Sequence, residues 1–358
     1  MKILGILNGA VKLPRAVHIY RLTMPLNYIN KQTKHSAYWA SASSMAQLLA
    51  PEIEKYIESD IIILGRMISD DLKAVGDYIA FVRSKGASIV YETDDDLIEE
   101  YRDISSGEGK TSIPFLQSAG IDAFTVTTEY LARQIAKHSF GQPIYVLPNC
   151  IETNYWTAAC RTYERKYSDT VNIMLVGTPT HGDDWILAHH AALRILDEYP
   201  NTRLLVGGYH PDYIGDDDRV IKMPYTEYAM YPTMLAEADI VMCAIDPNDP
   251  FNYSKSAVKA MESWAAQRKL NDNTYGGAAV IATNSVVYNG TVINERNGLL
   301  VDHNVDEYYL ALNRLVGDER MRYRLQRTGM SDVAKKHSIK ANYGKWVSAY
   351  NRIRRIKQ

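Results

Sequence analysis

The sequence predicts an α/β protein built from two successive doubly wound, Rossmann-like domains. Short apolar runs typical of buried parallel strands alternate with amphipathic segments typical of helices, and this alternation occurs twice along the chain. A polar, aperiodic stretch at residues 150–170 separates the two series and is interpreted as a linker. The length of 358 residues also suits two domains better than one. We expect an N-terminal domain over residues 1–165, a second domain over residues 166–337 that faces it across a cleft, and a basic C-terminal helix over residues 338–358 that packs back on the first domain.

Five apolar runs in the first series are interpreted as strands. They are KILGIL (2–7), DIIILG (60–65), SIVYE (88–92), AFTVT (123–127) and IYVLPN (144–149). Amphipathic segments near residues 37–50, 70–85 and 128–137 lie between them and are predicted to be helices. Strands that are connected through helices pair in parallel, so the first domain is predicted to contain a parallel sheet.

Six apolar runs in the second series are interpreted in the same way. They are VNIMLVG (171–177), RLLVGG (203–208), RVIKM (219–223), DIVMCAI (239–245), AAVIAT (278–283) and GLLV (298–301). Helices are predicted near residues 183–199, 227–236, 254–268 and 304–316, and the last forty residues also have a helical pattern. Ligands of doubly wound sheets bind outside the carboxyl ends of the strands, so the loops that follow these runs are expected to hold the functional residues.

The composition is that of a soluble globular protein, with 46% hydrophobic and 23% charged residues. The three cysteines, Cys150, Cys160 and Cys243, have neither a Cys-x-x-Cys nor a Cys/His spacing, so no disulfide framework or zinc site is expected. No apolar stretch approaches the ~18 residues of a membrane-spanning helix. We therefore expect a cytoplasmic protein.

Positive charge is concentrated at the C-terminal end. Residues 319–358 contain twelve Lys and Arg but only Glu319 and Asp332 as acids, a net charge of +10, whereas the whole chain carries -2 and the remainder therefore -12. Such asymmetry is found in proteins that contact nucleic acid or an anionic membrane surface. A solvated helix face is the alternative interpretation.

The stretch FNYSKSAVKAMESWA (251–265) carries the most informative polar pattern. We interpret it as a helix that begins near Ser254. Its apolar side comprises Val258, Met261 and Ala265. Its polar stripe comprises Lys255, Lys259 and Glu262, at spacings of four and three residues.

This stripe has the chemistry of a site for a nucleotide diphosphate. A helix N-terminus offers unpaired amides and a partial positive charge, to which Lys255 adds a compact cation and Ser256 a hydroxyl. Glu262, two turns further along, is placed to accept hydrogen bonds from the two hydroxyls of a ribose. The alternative is an ordinary surface helix with a Lys259–Glu262 ion pair.

Two further loops follow predicted strands of the second series. In LVGTPTHGDD (175–184), Gly177 and Gly182 permit close backbone approach, and Thr178, Thr180 and His181 are expected at the mouth of the site. The alternative here is that Asp183 and Asp184 merely begin a helix, at the end that favours acidic residues. The stretch GGYHP (207–211) is interpreted either as a plain turn or as a wall for the donor base.

Several of these motifs, in this order and spacing, resemble those of GT-B glycosyltransferases. They are VLPNCIE (146–152), LVGTPTHGDD (175–184), the block at 251–265, GGAAVIATN (276–284) and NERNGLLVD (294–302). They look most like the large family four, whose donors are nucleotide sugars. The resemblance covers most of residues 145–330, and the first 140 residues resemble the family mainly in their strand and helix pattern.

The resemblance assigns roles only where residues match. Glu262 matches the second glutamate of the family's Glu-x7-Glu signature, which implies that it binds the donor ribose. The first glutamate falls at Ser254, so that half of the signature is absent. In this variant, Lys255 and Ser256 are expected to hold the donor phosphates. The resemblance to family four also implies retention of configuration at the anomeric carbon.

The acidic triplet of YETDDDL (91–97) follows a predicted strand of the first series. An Asp-x-Asp clamp for a metal-bound diphosphate would need the donor in the first domain, whereas the phosphate and ribose signatures lie in the second. No metal site is therefore expected. Asp94, Asp95 and Asp96 are instead expected on the acceptor side, where Asp95 orients or deprotonates a hydroxyl, or else the triplet caps a helix.

The sequence thus predicts a glycosyltransferase, a hexosyl- or pentosyltransferase, that moves a sugar from a nucleotide diphosphate sugar to a hydroxyl without any further cofactor. Lys255 and His181 would stabilise the departing diphosphate. The segment at residues 17–35, which includes Arg21, is expected to line the acceptor, a glycan or lipid-linked sugar. The basic tail admits two further partners, an anionic membrane surface and DNA with hydroxylated bases of the kind that phage-type enzymes modify. A noncatalytic module that binds a sugar nucleotide or nucleic acid is the remaining alternative.

Overall fold

A computed structural model describes residues 1–8, 16–42, 58–66, 72–96, 120–139 and 141–356 of the chain. The chain divides into two compact units. The first unit comprises Met1–Cys150, Tyr253–Ser256 and Ile339–Gln358, and the second comprises Ile151–Asn252 and Ala257–Ser338. The predicted domain limits at residues 165 and 337 stay predictions, because compactness alone does not establish which segments fold independently.

The first unit contains a six-stranded parallel sheet in the order β2-β1-β3-β4-β5-β6. Its strands are β1 (Lys2–Asn8), β2 (Ser36–Ala42), β3 (Ile61–Gly65), β4 (Ser88–Thr93), β5 (Ala123–Val126) and β6 (Ile144–Val146). All five predicted strands are present. The residues of β3 and β4 are buried along their whole length, as expected of parallel strands that have helices on both faces.

One predicted helix of the first unit is wrong in part. Residues 36–42 form the edge strand β2, paired in register with β1 from Lys2↔Ser36 to Asn8↔Ala42, and residues 43–50 lie outside the described ranges. The alanines of this stretch favour a helix, but the open edge of β1 supplies a ladder of backbone partners. Tertiary pairing overrides intrinsic propensity here.

Within the described ranges, three longer helices accompany this sheet before β6 ends. They are α1 (Met24–Gln32), preceded by a helical segment from Ala16, α2 (Leu72–Ser84) and α3 (Glu129–Ala136). The last two occupy the segments predicted to be helical, and Thr128 caps α3 by accepting a hydrogen bond from Leu131 N at 3.1 Å. Helix α1 packs on β1 at Gly5, where a Cβ atom would lie 2.7 Å from Leu26 Cδ1.

The second unit contains a parallel sheet in the order β14-β13-β10-β7-β8-β9 and a small antiparallel pair, β11-β12. Its strands are β7 (Val171–Gly177), β8 (Thr202–Gly208), β9 (Val220–Pro224), β10 (Ile240–Cys243), β11 (Arg268–Lys269), β12 (Tyr275–Gly276), β13 (Ala279–Thr283) and β14 (Leu299–Val301). All six strands predicted for this half are present.

Six helices surround the second sheet. They are α4 (Thr153–Cys160), α5 (Ile186–Glu198), α6 (Tyr231–Ala236), α7 (Val258–Ala265), α8 (Val305–Gly317) and α9 (Glu319–Asp332). Helix α4 corrects the prediction of an irregular linker at 150–170. Glu152 caps this helix by accepting a hydrogen bond from Tyr155 N at 2.8 Å, and Trp156 is fully buried, so tertiary packing stabilises a helix that the local pattern does not indicate.

The last helix, α10 (Ile339–Arg355), belongs to the first unit. Its aromatic residues contact the N-terminal helical segment, with the Tyr28 and Tyr343 ring centroids 5.4 Å apart and the Arg21 guanidinium 4.9 Å from the Trp346 ring centroid. Among the helices that the structure describes, none is long and apolar enough to cross a membrane.

Strand order locates the crevice of the second sheet. From β7 the chain builds β8 and β9 on one side, and β10, β13 and β14 lie on the other side. The loops that leave the carboxyl ends of β7 and β10 therefore diverge at neighbouring strands. In open α/β sheets this switch point is where ligands bind.

Candidate active site

Strand β7 ends at Gly177, and the side chains that follow it lie directly over the strand end. A Cβ atom at Gly177 would lie 2.9 Å from both His181 Cδ2 and Trp185 Cζ2. The two rings stack with centroids 6.3 Å apart and planes 3° apart. Glycine is therefore required because the imidazole and indole occupy the space of a side chain, and His181 is held at the mouth of the crevice with 16% of its side chain exposed.

Asp184 holds the loop after β7 and the loop after β10 together. Its Oδ2 atom lies 3.0 Å from His181 Nδ1. Its Oδ1 atom accepts hydrogen bonds from Asp246 N at 2.7 Å and from Asn252 Nδ2 at 2.8 Å. Asp183 is exposed and fits the alternative in which both aspartates simply begin a helix. Asp184 does not fit it, because this residue is buried at the switch point.

Thr178 and Thr180 lie beside this pair as expected from the motif. Both are exposed, and their Oγ1 atoms are 3.0 Å apart. The loop therefore presents two hydroxyls at the surface of the crevice. Their predicted contact with the donor stays a prediction.

Helix α7 brings a lysine to the same strand end and carries a carboxylate one turn further along. Lys259 Nζ donates a hydrogen bond to the carbonyl of Val176, the residue before Gly177. Glu262, one turn further along α7, accepts a hydrogen bond from the Tyr231 hydroxyl at 3.2 Å through its Oε2 atom. Ala260, Met261, Trp264 and Ala265 of α7 are buried, which anchors the helix against the sheet.

The surroundings of Glu262 are strongly desolvated. Burial, followed by the Glu262 carboxylate, raises the pKa of Tyr231 well above its ordinary value, so this phenol keeps its proton and donates. Burial also raises the pKa of the nearby Cys243 thiol to about 12. A thiol with that pKa is not a nucleophile at neutral pH.

The structure corrects the predicted start of the helix in the 251–265 block. Pro250–Ser254 form a 3-10 turn, and α7 begins at Val258, so Lys255 and Ser256 precede the helix instead of lying in its first turn. A proline, an asparagine and two serines occur within this stretch, and each favours turns over helix interiors.

Residues Tyr253–Ser256 belong to the first unit. Ser254 is fully buried, its Oγ accepts a hydrogen bond from Asp96 N at 3.2 Å, and its carbonyl accepts one from Thr128 Oγ1 at 3.2 Å. Ser256 Oγ accepts a hydrogen bond from Asn149 Nδ2 at 2.8 Å. The position where a family-four signature has its first glutamate is thus occupied by a buried structural serine, and the phosphate role of Lys255 and Ser256 stays a prediction.

The acidic triplet follows β4 and contacts the residue after β3. Arg66 forms ion pairs with Asp95 and, at 3.5 Å, with Asp94 Oδ1. Burial and the neighbouring Asp95 raise the pKa of Asp94 to about 7, although Arg66 opposes the shift. The helix that the triplet would cap falls at residues 97–119, outside the described ranges. Within the part of the chain that the structure describes, no group of three His, Cys, Asp or Glu residues is arranged to hold a metal ion.

Arg21 is buried beneath this edge. Its Nε atom donates to Glu92 at 2.7 Å, and its Nη1 atom donates to the Leu147 carbonyl at 2.6 Å and to Asn149 Oδ1 at 3.0 Å. These contacts join the ends of β4 and β6 and orient Asn149. With 2% of its side chain exposed, Arg21 is well placed to support other residues, and its direct role toward an acceptor stays a prediction.

The GGYHP loop has the contacts of a structural turn. Gly208 has φ +84°, and a Cβ atom there would collide with the Gly177 carbonyl oxygen. His210 Nε2 lies 3.1 Å from the Val206 carbonyl and 2.9 Å from the Met223 carbonyl. Because carbonyls only accept, this nitrogen carries the proton, and the ring fastens β8 to β9.

The positive tail is partly internal to the fold. Arg322 is buried, Arg327 pairs with Asp272, and Lys336 pairs with Asp332. Helix α10 has five exposed cations: Lys340, Lys345, Arg352, Arg354 and Arg355. Of these, Arg354 pairs with Asp60 at 3.2 Å. Helix α10 contains no acidic residue.

Similarity to known proteins is structural. No protein-family model matches the sequence, and no curated protein matches it. The structure is similar to that of Anabaena HepE in complex with UDP and glucose, with a TM-score of 0.68, 12% identity, and 98% of this chain and 100% of that chain covered. It is also similar to sucrose-phosphate synthase from Thermosynechococcus elongatus (TM-score 0.64, 14% identity, 98% of each chain) and to a glycosyltransferase from Rickettsia africae (TM-score 0.61, 14% identity, 98% of each chain). The chain therefore has the GT-B fold, as predicted.

Proposed function

We propose that this protein is a glycosyltransferase that transfers a sugar from a nucleotide diphosphate sugar to a hydroxyl. One observation carries the proposal: His181 and Lys259 lie at the end of β7, at the switch point of the second sheet, and Glu262 follows one turn further along α7. A lysine and an imidazole suit a diphosphate, and a carboxylate one helical turn away suits the paired hydroxyls of a ribose.

The catalytic contribution follows from where charge develops. As the glycosidic bond breaks, the diphosphate gains negative charge, and fixed cationic groups stabilise this state more than the ground state. His181 and Lys259 are held by protein contacts before the donor arrives, so little reorganisation accompanies the reaction. Lys255 and Ser256 are assigned to the same phosphates through the resemblance to family four, which is also the ground for proposing retention. The stabilisation requires no metal.

UDP-glucose is the first donor to test. HepE, which has the same fold, has been crystallised with UDP and with UDP-glucose. For the acceptor we propose a glycan or lipid-linked sugar, bound by the first unit near Asp94, Asp95 and Asp96. A carboxyl with a pKa of about 7, such as that of Asp94, is suited to accept a proton from a hydroxyl at neutral pH.

The test is turnover on a panel of UDP-, GDP- and ADP-sugars, with release of nucleotide diphosphate as the signal. We expect release with one donor, undiminished in EDTA. Glu262→Ala should weaken donor binding by about 1 to 3 kcal/mol, since it removes hydrogen bonds to a charged group. Glu227→Ala is the matched control, because Glu227 is an exposed carboxylate on the loop that leads to α6.

Three results would contradict the proposal in different ways. Equal donor affinity in the two variants removes Glu262 from the site. Nucleotide binding without turnover, whatever the acceptor supplied, indicates a noncatalytic binding module. Complete loss of activity in EDTA with recovery in manganese contradicts the metal-independent mechanism.

A second candidate acceptor, DNA with hydroxylated bases, is favoured by the five exposed cations and the absence of acids on α10. Binding of duplex DNA through this helix should weaken steeply with salt, because each phosphate contact releases counterions. Vesicles with anionic lipids, tested beside the duplex, separate nucleic-acid binding from membrane contact. If the protein binds both duplex and vesicles independently of salt concentration, the cations of α10 do not mediate that binding, and α10 is interpreted as a solvated helix.

A further inference from the structure

The geometry around Asp184 determines which nitrogen of His181 faces the carboxylate. A carboxylate oxygen can only accept a hydrogen bond, so the ring nitrogen 3.0 Å from it, Nδ1, carries a proton. The second nitrogen, Nε2, is bonded to Cδ2, and a Cβ position built on Gly177 lies 2.9 Å from Cδ2 and 3.4 Å from Cγ. The ring therefore packs on the end of β7 through its Cγ–Cδ2 edge, and Nε2 is the ring nitrogen that does not face Asp184.

The charge of the ring decides whether this nitrogen attracts or repels a phosphate. In the neutral ring with Nδ1 protonated, Nε2 presents a lone pair and repels a phosphate oxygen. In the imidazolium, Nε2 donates a charge-assisted hydrogen bond. A carboxylate fixed at Nδ1 favours the imidazolium, because an opposite charge stabilises the charged form.

Asp184 is itself held in place independently of His181. Its other oxygen, Oδ1, accepts the hydrogen bonds from Asp246 N and Asn252 Nδ2, so the carboxylate is anchored to the loop after β10. The side chain is 6% exposed, which limits screening by water. The titratable groups around the pair are Asp183, Tyr213, Asp246, Lys259, Tyr288, His303 and Tyr308.

We propose that Asp184 is a positioning residue that keeps His181 charged, with Nε2 directed at the diphosphate of the donor. The inference rests on the proposed function and extends it, because Asp184 touches no substrate and acts only through the imidazole. The second carboxylate oxygen of Asp184 joins the two loops of the crevice, which keeps the histidine aligned when the donor binds.

The test compares Asp184→Asn with Asp183→Asn. Both variants replace one carboxylate by an amide of the same shape, but Asp183 is exposed and outside the network. The amide oxygen at 184 can still accept from Asp246 N and Asn252 Nδ2, so the loops should remain joined. The carboxylate charge at Nδ1 is lost, and the His181 titration, followed by NMR and assigned with His181→Gln, should move to lower pH in D184N alone.

Nucleotide binding supplies the second readout. Wild-type affinity for UDP should fall as the pH rises through the His181 titration, and D184N should bind UDP about tenfold more weakly at pH 7, the size of one charge-assisted hydrogen bond. His181→Gln should bind weakly at every pH. D183N should match the wild type in affinity and in pH dependence.

The failures of the two proposals can be told apart. If D184N and D183N show the same His181 titration and the same UDP affinity, Asp184 has no positioning role. If the wild type binds no nucleotide diphosphate at all, the proposed function fails, and the ligand assigned here fails with it. Should D184N not fold, nitrogen chemical shifts of His181 in the wild type decide, because a neutral ring protonated at Nε2 would overturn the geometry.

Discussion

His189 is predicted to make the stability of the second unit depend on pH. It lies on α5 in the core, 2% exposed, with its ring centroid 5.3 Å from that of Tyr213. Among the residues that the structure describes, neither ring nitrogen has a hydrogen-bond partner. Burial, and to a smaller extent the neighbouring His190, lowers the pKa of His189 from 6.5 to about 4.

The sign follows from proton binding in the two states. Between pH 6.5 and 4 the unfolded chain binds a proton at His189 and the folded chain does not, so acid favours unfolding. The stability is fully present above pH 6.5 and is lost as the pH falls toward 4. With these two pKa values, the loss is about 2 kcal/mol at pH 5 and about 3 kcal/mol below pH 4.

His189→Leu isolates this contribution. Leucine is close to histidine in volume and does not titrate. Between pH 7 and pH 5, the free energy of unfolding should therefore fall by about 2 kcal/mol less in the variant than in the wild type. This difference corresponds to about 4 to 8 °C in melting temperature. Calorimetry at both pH values measures the difference, and hydrogen exchange in α5 assigns the transition. His190→Gln, at the exposed neighbour, is the control. If His189→Leu and the wild type lose equal stability on acidification, His189 is not the buried neutral group inferred here.

Two further predictions concern the site. Gly177→Ala should lower the free energy of unfolding by about 1 to 3 kcal/mol and reduce donor affinity, because the new methyl displaces His181 and Trp185. Gly215→Ala is the control, since no atom lies within 4 Å of its added Cβ, and it should change neither quantity. Equal melting temperatures and equal UDP affinities in the two variants would contradict the packing over β7. Asp94→Asn should lower turnover ~100-fold or more, because the proposed base for the acceptor hydroxyl is lost. The same variant should have a higher melting temperature at pH 8, since burial and the neighbouring Asp95 make the charged carboxylate of Asp94 destabilising. Normal turnover in this variant would show that Asp94 is not the base.

The strands were predictable from sequence because parallel strands are buried on both faces. An apolar run such as VNIMLVG is stable only in a buried environment. Strand β7 accordingly begins and ends at the predicted residues. The edge strand β2 was missed because SAYWASA is only half covered and its alanines are compatible with either state. Helix α4 was missed for a related reason, since its burial of Trp156 depends on Tyr228, 72 residues away.

The site was predictable only in part. Motif positions predicted His181, Lys259 and Glu262 as candidate site residues, because residue types at strand ends and helix spacings are local information. Their partners come from distant parts of the sequence: Tyr231 lies 31 residues from Glu262, and Asp246 lies 62 residues from Asp184. Only the fold brings such pairs together, and no periodicity in the sequence marks them.

The corrected start of α7 changes how the two lysines of the stripe are ranked. The prediction from sequence assigns the leading phosphate role to Lys255, because a helix that begins at Ser254 would direct its first amides at the diphosphate. With the helix beginning at Val258, that argument transfers to Lys259, which lies in the first turn of α7. Lys259 also donates to the Val176 carbonyl, at the strand end where His181 lies. The described contacts thus concentrate positive charge at β7, and the loss of activity from removing Lys259 should exceed that from removing Lys255.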